Sequence, residues 1–128
     1  MAKLGATYRC NLPPRHIWVI ISDPAEHAQS FLFVNLTTFT EGCIDDCCIL
    51  QSDDYPPYLT HATTVAYSRF HIGSVRGIEA LVAAGQFHQM PDLPRRTLNK
   101  MIDGAHSSRE LPKMAKAMLP PRQENSTA

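Results

Sequence analysis

No stretch of this sequence stays apolar for long enough to cross a bilayer. Its clean apolar runs, such as residues 17–21 and 31–34, fall far short of the roughly 20 residues that a helical span needs. The opening Met1-Ala2-Lys3-Leu4-Gly5 also lacks the apolar core of a signal peptide, so a cytoplasmic location is expected. Cysteine is sparse and follows no framework spacing. Cys10, Cys43, Cys47 and Cys48 read as reduced thiols, the adjacent pair ahead of Ile49-Leu50 as strand residues. Neither sign of charge dominates, with 12 basic against 12 acidic residues, which argues against wrapping long duplex DNA. There is no internal repeat and no long linker, so one domain is expected over residues 1–119, with a polar tail over 120–128.

The common chemical signatures are missing as well. There is no P-loop, no Gly-x-Gly-x-x-Gly, no Gly-x-Ser-x-Gly and no His-Glu-x-x-His. Cys43, Cys47 and Cys48 with His61 do not match zinc-ligand spacing, and neighbours on a strand point to opposite faces. No metal and no cofactor are expected. Asp45-Asp46 and Asp53-Asp54 read as a solvated acidic rim, with a metal-dependent nuclease holding magnesium or calcium as the remote alternative. Met90, Met101, Met114 and Met118 read as core packing.

What is present is uneven charge and clear periodicity. Residues 1–40 are weakly basic, residues 41–60 carry only acids (Glu41, Asp45, Asp46, Asp53, Asp54), and residues 61–128 are basic again. Residues 17–21 (Ile-Trp-Val-Ile-Ile) and 31–38 (Phe-Leu-Phe-Val-Asn-Leu-Thr-Thr) predict two strands at the centre of a sheet, buried on both faces. Shorter strands are expected at residues 6–10, 46–51 and 63–68, with a Pro56-Pro57 turn between the last two. Such spacing points to a small barrel or strongly bent antiparallel sheet, an α+β chain that is mainly β.

After Ser74 the period turns helical. Val75, Ile78, Leu81 and Val82 share a face, Ser74 can cap and Gly85 can stop the helix. Residues 86–90 return as an edge strand. A second helix is expected to open at Asp92, with Pro94 in its first turn and Leu98, Met101, Ile102 and Ala105 inward. Ser107-Ser108-Arg109-Glu110 resembles a capping box leading to a third stripe of Leu111, Met114, Ala115 and Met118.

One combination of residues suggests chemistry. Arg15 immediately precedes the first buried strand, and Thr37 and Thr38 end the second. If these sequence neighbours pair antiparallel, the guanidinium and the hydroxyls converge at the strand ends. Arginine can hold a phosphate bidentately and a threonine hydroxyl can donate to the same oxygens. His16, next to Arg15, is of a residue type suited to proton transfer near neutral pH.

Pro14-Arg15-His16-Ile17-Trp18-Val19-Ile20-Ile21-Ser22 resembles the Arg-Pro-Val-Leu-Val-Val segment of the MazF/PemK toxin family, with His16 where that family has proline. Phe33-Val34-Asn35-Leu36-Thr37-Thr38 resembles its second strand, and Thr63-Thr64-Val65-Ala66-Tyr67 its later strand. The resemblance covers about residues 6–70 and implies an SH3-like barrel and a homodimer. It also implies metal-independent cleavage of single-stranded RNA, as in type II toxin–antitoxin systems, with an antitoxin peptide occluding the site. Arg15 would bind phosphate and move a proton, Thr37 or Thr38 would stabilise the transition state, and the ribose 2′-hydroxyl would be the nucleophile. The alternative is a non-catalytic protein-binding module on the same fold, an antitoxin-like protein, phage regulator or adaptor.

Overall fold

The computed structural model describes residues 1–122, and residues 123–128, most of the expected tail, lie outside them. Six strands form one antiparallel sheet in the order β4-β5-β3-β2-β1-β6. They are β1 (Thr7–Cys10), β2 (Ile17–Ile20), β3 (Ser30–Thr38), β4 (Ile49–Leu50), β5 (Thr63–Ser74) and β6 (Phe87–Met90). The helices are α1 (Val75–Ala83), α2 (Arg95–Ser107) and α3 (Lys113–Lys116). The sheet curls into a half-barrel, the mainly β architecture with C-terminal helices that the strand spacing implied. The two apolar segments are its central pair.

Because β2 and β3 lack polar alternation, both of their faces are covered. One face presents Val19, Leu32, Val34, Leu36, Val65 and Tyr67 to Leu98, Met101, Ile102 and Ala105 of α2. The other presents Tyr8, Ile20, Phe31 and Phe33 to Ile78 of α1. The α2 face packs closely. The Tyr67 hydroxyl donates to the Met101 carbonyl at 2.6 Å, and a Cβ on Gly104 would fall 2.6 Å from that oxygen and 2.7 Å from Cys48 Cβ. Only glycine lets the helix approach so near.

Strand β5 continues six residues past the expected end at Ser68. Between Phe33↔His71 and Asn35↔Ala66, β3 advances two residues while β5 advances five, so β5 bulges by three. The bulge re-aims the strand and allows it to pair along the whole of β3. Its outer half, Arg69 to Ser74, is exposed or half-buried.

Strand β4 is shorter than expected. Residues 45–48 turn towards α2, where the Cys47 thiol donates to the Gly104 carbonyl at 3.3 Å. Cys47 and Cys48 are therefore not strand residues. Burial pushes the Cys48 thiol up to about 11, so it stays protonated at neutral pH. Helix α2 begins at Arg95 rather than Asp92, whose carboxylate pairs with Lys3 at 3.0 Å. Ser108 accepts from the Glu110 N–H, a local turn in place of a capping box. Pro112 keeps the chain extended until α3 starts at Lys113, leaving Met114 63% exposed and outside the core.

The solvated acidic rim is half wrong. Asp45 and Asp54 are buried, at 7% and 1% exposure. Asp45 accepts from the Ser68 N–H at 3.1 Å and hydroxyl at 2.5 Å, pinning the bulge. Asp54 ties the first turns of α2 to the preceding loop, meeting Arg96 at 3.0 Å, Lys100 at 2.9 Å and the Gln51 N–H at 2.8 Å. Burial raises the Asp54 pKa, but the Gln51 N–H, Lys100 and Arg96 outweigh it and hold the carboxyl below its usual value.

A depressed folded-state pKa stabilises the fold above the unfolded value, about 3.9, and that contribution disappears as pH falls through the folded value. Asp54→Ala is therefore expected to cost about 2–3 kcal/mol at neutral pH. The gap to wild type should be narrower in urea melts at about pH 3 than at neutral pH. A gap of equal size at both pH values would show that the charge is not what matters.

Candidate active site

Antiparallel pairing of β2 with β3 sets Ile17 opposite Leu36. The residue that enters β2 thus lies beside the residues that leave β3. Arg15, His16, Thr37 and Thr38 line one depression of about 190 Å³ at the strand ends. Arg15 and Thr38 are exposed, while His16 and Thr37 are partly covered. No acidic side chain forms a salt bridge with Arg15 among the described residues. Its guanidinium keeps its donors for an anion.

The far wall comes from the segment ahead of β5 and brings His61, weighed in the sequence only as a zinc ligand, and Thr60, which the sequence reading did not single out. The Thr38 hydroxyl lies 3.0 Å from His61 Nε2, and the Thr60 hydroxyl 3.2 Å from His61 Nδ1. A neutral imidazole has one donor and one acceptor nitrogen. One threonine therefore gives a hydrogen bond and the other receives one. His61 also carries the carbonyl that accepts from the Thr63 hydroxyl at 3.0 Å. The ring is held on both sides and through its own backbone. The signal was the Thr38↔Thr63 register, which sets His61 two residues beyond the partner of Thr38.

Chemically the depression offers a cation for a phosphate, the Thr37 and Thr38 hydroxyls for its oxygens, and two imidazoles for proton transfer. Among the described residues, no group of three His, Cys, Asp or Glu side chains could hold a metal ion.

The face of β3 that carries Phe31 and Phe33 has a second feature. Asn35 is 3% exposed, and its Oδ1 has no hydrogen-bond partner among the described residues. Leaving such an oxygen unpaired costs about 1–3 kcal/mol.

No protein-family model matches the sequence, and no curated protein matches it. Solved structures do match in shape. An endoribonuclease from mycobacterial species superposes with a TM-score of 0.56 at 20% identity, covering 87% of this chain and 93% of that one. A mycobacterial endoribonuclease in complex with its cognate antitoxin gives 0.54 at 19%, covering 87% and 95%. The fold is that of the MazF-like toxins. A MazE–MazF complex from Deinococcus radiodurans gives 0.51 at 14%, covering 83% and 92%. The MazF-like fold thus spans the helical second half of the chain as well as the strands.

Proposed function

We propose that this chain is a toxin-type endoribonuclease that cleaves single-stranded RNA without metal, in the manner of type II toxin–antitoxin systems. The observation that carries the reading is the single depression, on a MazF-like fold, that Arg15, Thr37, Thr38, His16 and His61 line together. Arg15 holds the scissile phosphate and offsets the charge that grows on it. The Thr37 and Thr38 hydroxyls donate to its non-bridging oxygens. One imidazole takes the proton of the ribose 2′-hydroxyl, whose oxygen attacks phosphorus. The other gives a proton to the departing 5′-oxygen, leaving a 2′,3′-cyclic phosphate.

Neighbours solved with an antitoxin or as MazE–MazF support an antitoxin partner. A homodimer and a cytoplasmic location belong to the same proposal. Among the described residues no helix is long and apolar enough to cross a membrane.

The test is incubation of the purified chain with single-stranded RNA, with and without EDTA, and chemical mapping of the new ends. Cyclic-phosphate ends formed equally in EDTA are expected. Cleavage lost in EDTA would replace this mechanism by one through metal. No cleavage by a folded chain would leave the protein-binding module.

A further inference from the structure

We propose that the cavity around Asn35 is a nucleobase pocket that sets the base preference of the bound RNA, an inference that rests on the endoribonuclease reading. The cavity, about 500 Å³, is lined by Trp18, Asn35, Arg69, Phe70, His71 and Phe87 among others. It shares His16 with the depression that holds Arg15 and the threonines.

Asn35 follows Phe31 and Phe33 on one face of β3, where an apolar side chain would continue the packing. A carboxamide stands there instead, with its carbonyl oxygen buried and unpaired. Buried polar groups are nearly always bonded, so a base that enters the cavity can supply the partner that no described residue does. Oxygen and nitrogen side by side form the acceptor–donor pair that matches the edge of a base.

Stacking is available as well. Trp18 lies directly across from Asn35 in the β2–β3 register. Its ring is steadied by Phe33 at 5.1 Å and His71 at 5.4 Å between centroids. Unpaired RNA bases are recognised by this combination of an aromatic platform and hydrogen bonds to base edges. Arg69, exposed on the β5 bulge, adds a cation for the backbone. Asn35 and Thr37 are two strand residues apart, about 7 Å, a span that one nucleotide bridges. A base in the pocket and the scissile phosphate at Arg15 can therefore belong to one strand.

Trp18 is the sole tryptophan, so its fluorescence reports on the pocket directly. The full chain is titrated with four 2′-O-methyl RNA hexamers, all-A, all-C, all-G and all-U, which lack the nucleophilic hydroxyl. Saturable quenching is expected, with the preferred hexamer about tenfold tighter than the weakest. Asn35→Ala should bring the four affinities to within about twofold of one another. Arg69→Ala, at an exposed position, should weaken all four alike and lower the salt dependence.

Equal binding of the four hexamers by wild type would overturn the proposal, as would an unchanged preference in Asn35→Ala. So would a Trp18 that no hexamer quenches because a second copy of the chain covers it. Selective quenching without cleavage of ordinary RNA would remove the nuclease reading and keep the pocket. Cleavage with a base preference indifferent to Asn35 would do the reverse.

Discussion

Arg15→Ala is expected to slow RNA cleavage by about 10²–10³-fold, the usual loss when one donor to a developing anion is removed. Folding should be untouched. Arg15 precedes β2, is exposed, and makes no salt bridge among the described residues. The backbone that presents it is fixed by the Ile17↔Leu36 pairing, which alanine at position 15 does not disturb. Arg15→Lys should recover only part of the loss, since an ammonium keeps the charge without the two-pronged geometry. The check is single-turnover cleavage of a labelled single-stranded RNA, paired with a thermal melt. A variant that melts like wild type and cuts at the wild-type rate would remove Arg15 from the mechanism.

His61→Ala should cost about 10²–10⁴-fold, the range for a positioned proton-transfer group. The ring stands between the Thr38 and Thr60 hydroxyls at 3.0 and 3.2 Å, and Thr38 lines the same depression as Arg15. Two imidazoles share that depression, so the comparison with His16→Ala matters. If each carries one of the two proton transfers, each single variant should fall well below wild type. The double variant should then fall little further, because the steps belong to one concerted unit. Thr60→Val keeps the ring and loses one of its tethers. It should cost about fivefold, the equivalent of one hydrogen bond near 1 kcal/mol. A His61→Ala enzyme at full rate would make the ring a structural bridge between the segment ahead of β5 and the end of β3.

Much of the fold was legible in the residues. Continuous apolar runs at 17–21 and 31–34 declared two central strands, and Ser74 with Gly85 bracketed α1. Ser74 Oγ accepts from the Gly77 N–H at 3.0 Å and Gly85 adopts φ +79°, as cap and stop require. The misreadings cluster where distant groups override local signals. Asp45 and Asp54 look like surface charges, yet Ser68 in one case and Arg96 and Lys100 in the other draw them inside. Met114 keeps a helical spacing, but Pro112 delays the helix until too little of it remains to build an apolar face.

The candidate site divides in the same way. Chain order alone puts Arg15 and His16 beside Thr37 and Thr38, because two neighbouring strands joined by a short link run antiparallel and bring opposite ends together. Local pattern could not deliver His61 or the Asn35 pocket. Each depends on β5, which follows β3 by a long excursion and whose register shifts by three residues at a bulge. That register comes from packing over the whole sheet, from the Asp45–Ser68 tether to the helix laid against Tyr67. Short-range periodicity carries no trace of it.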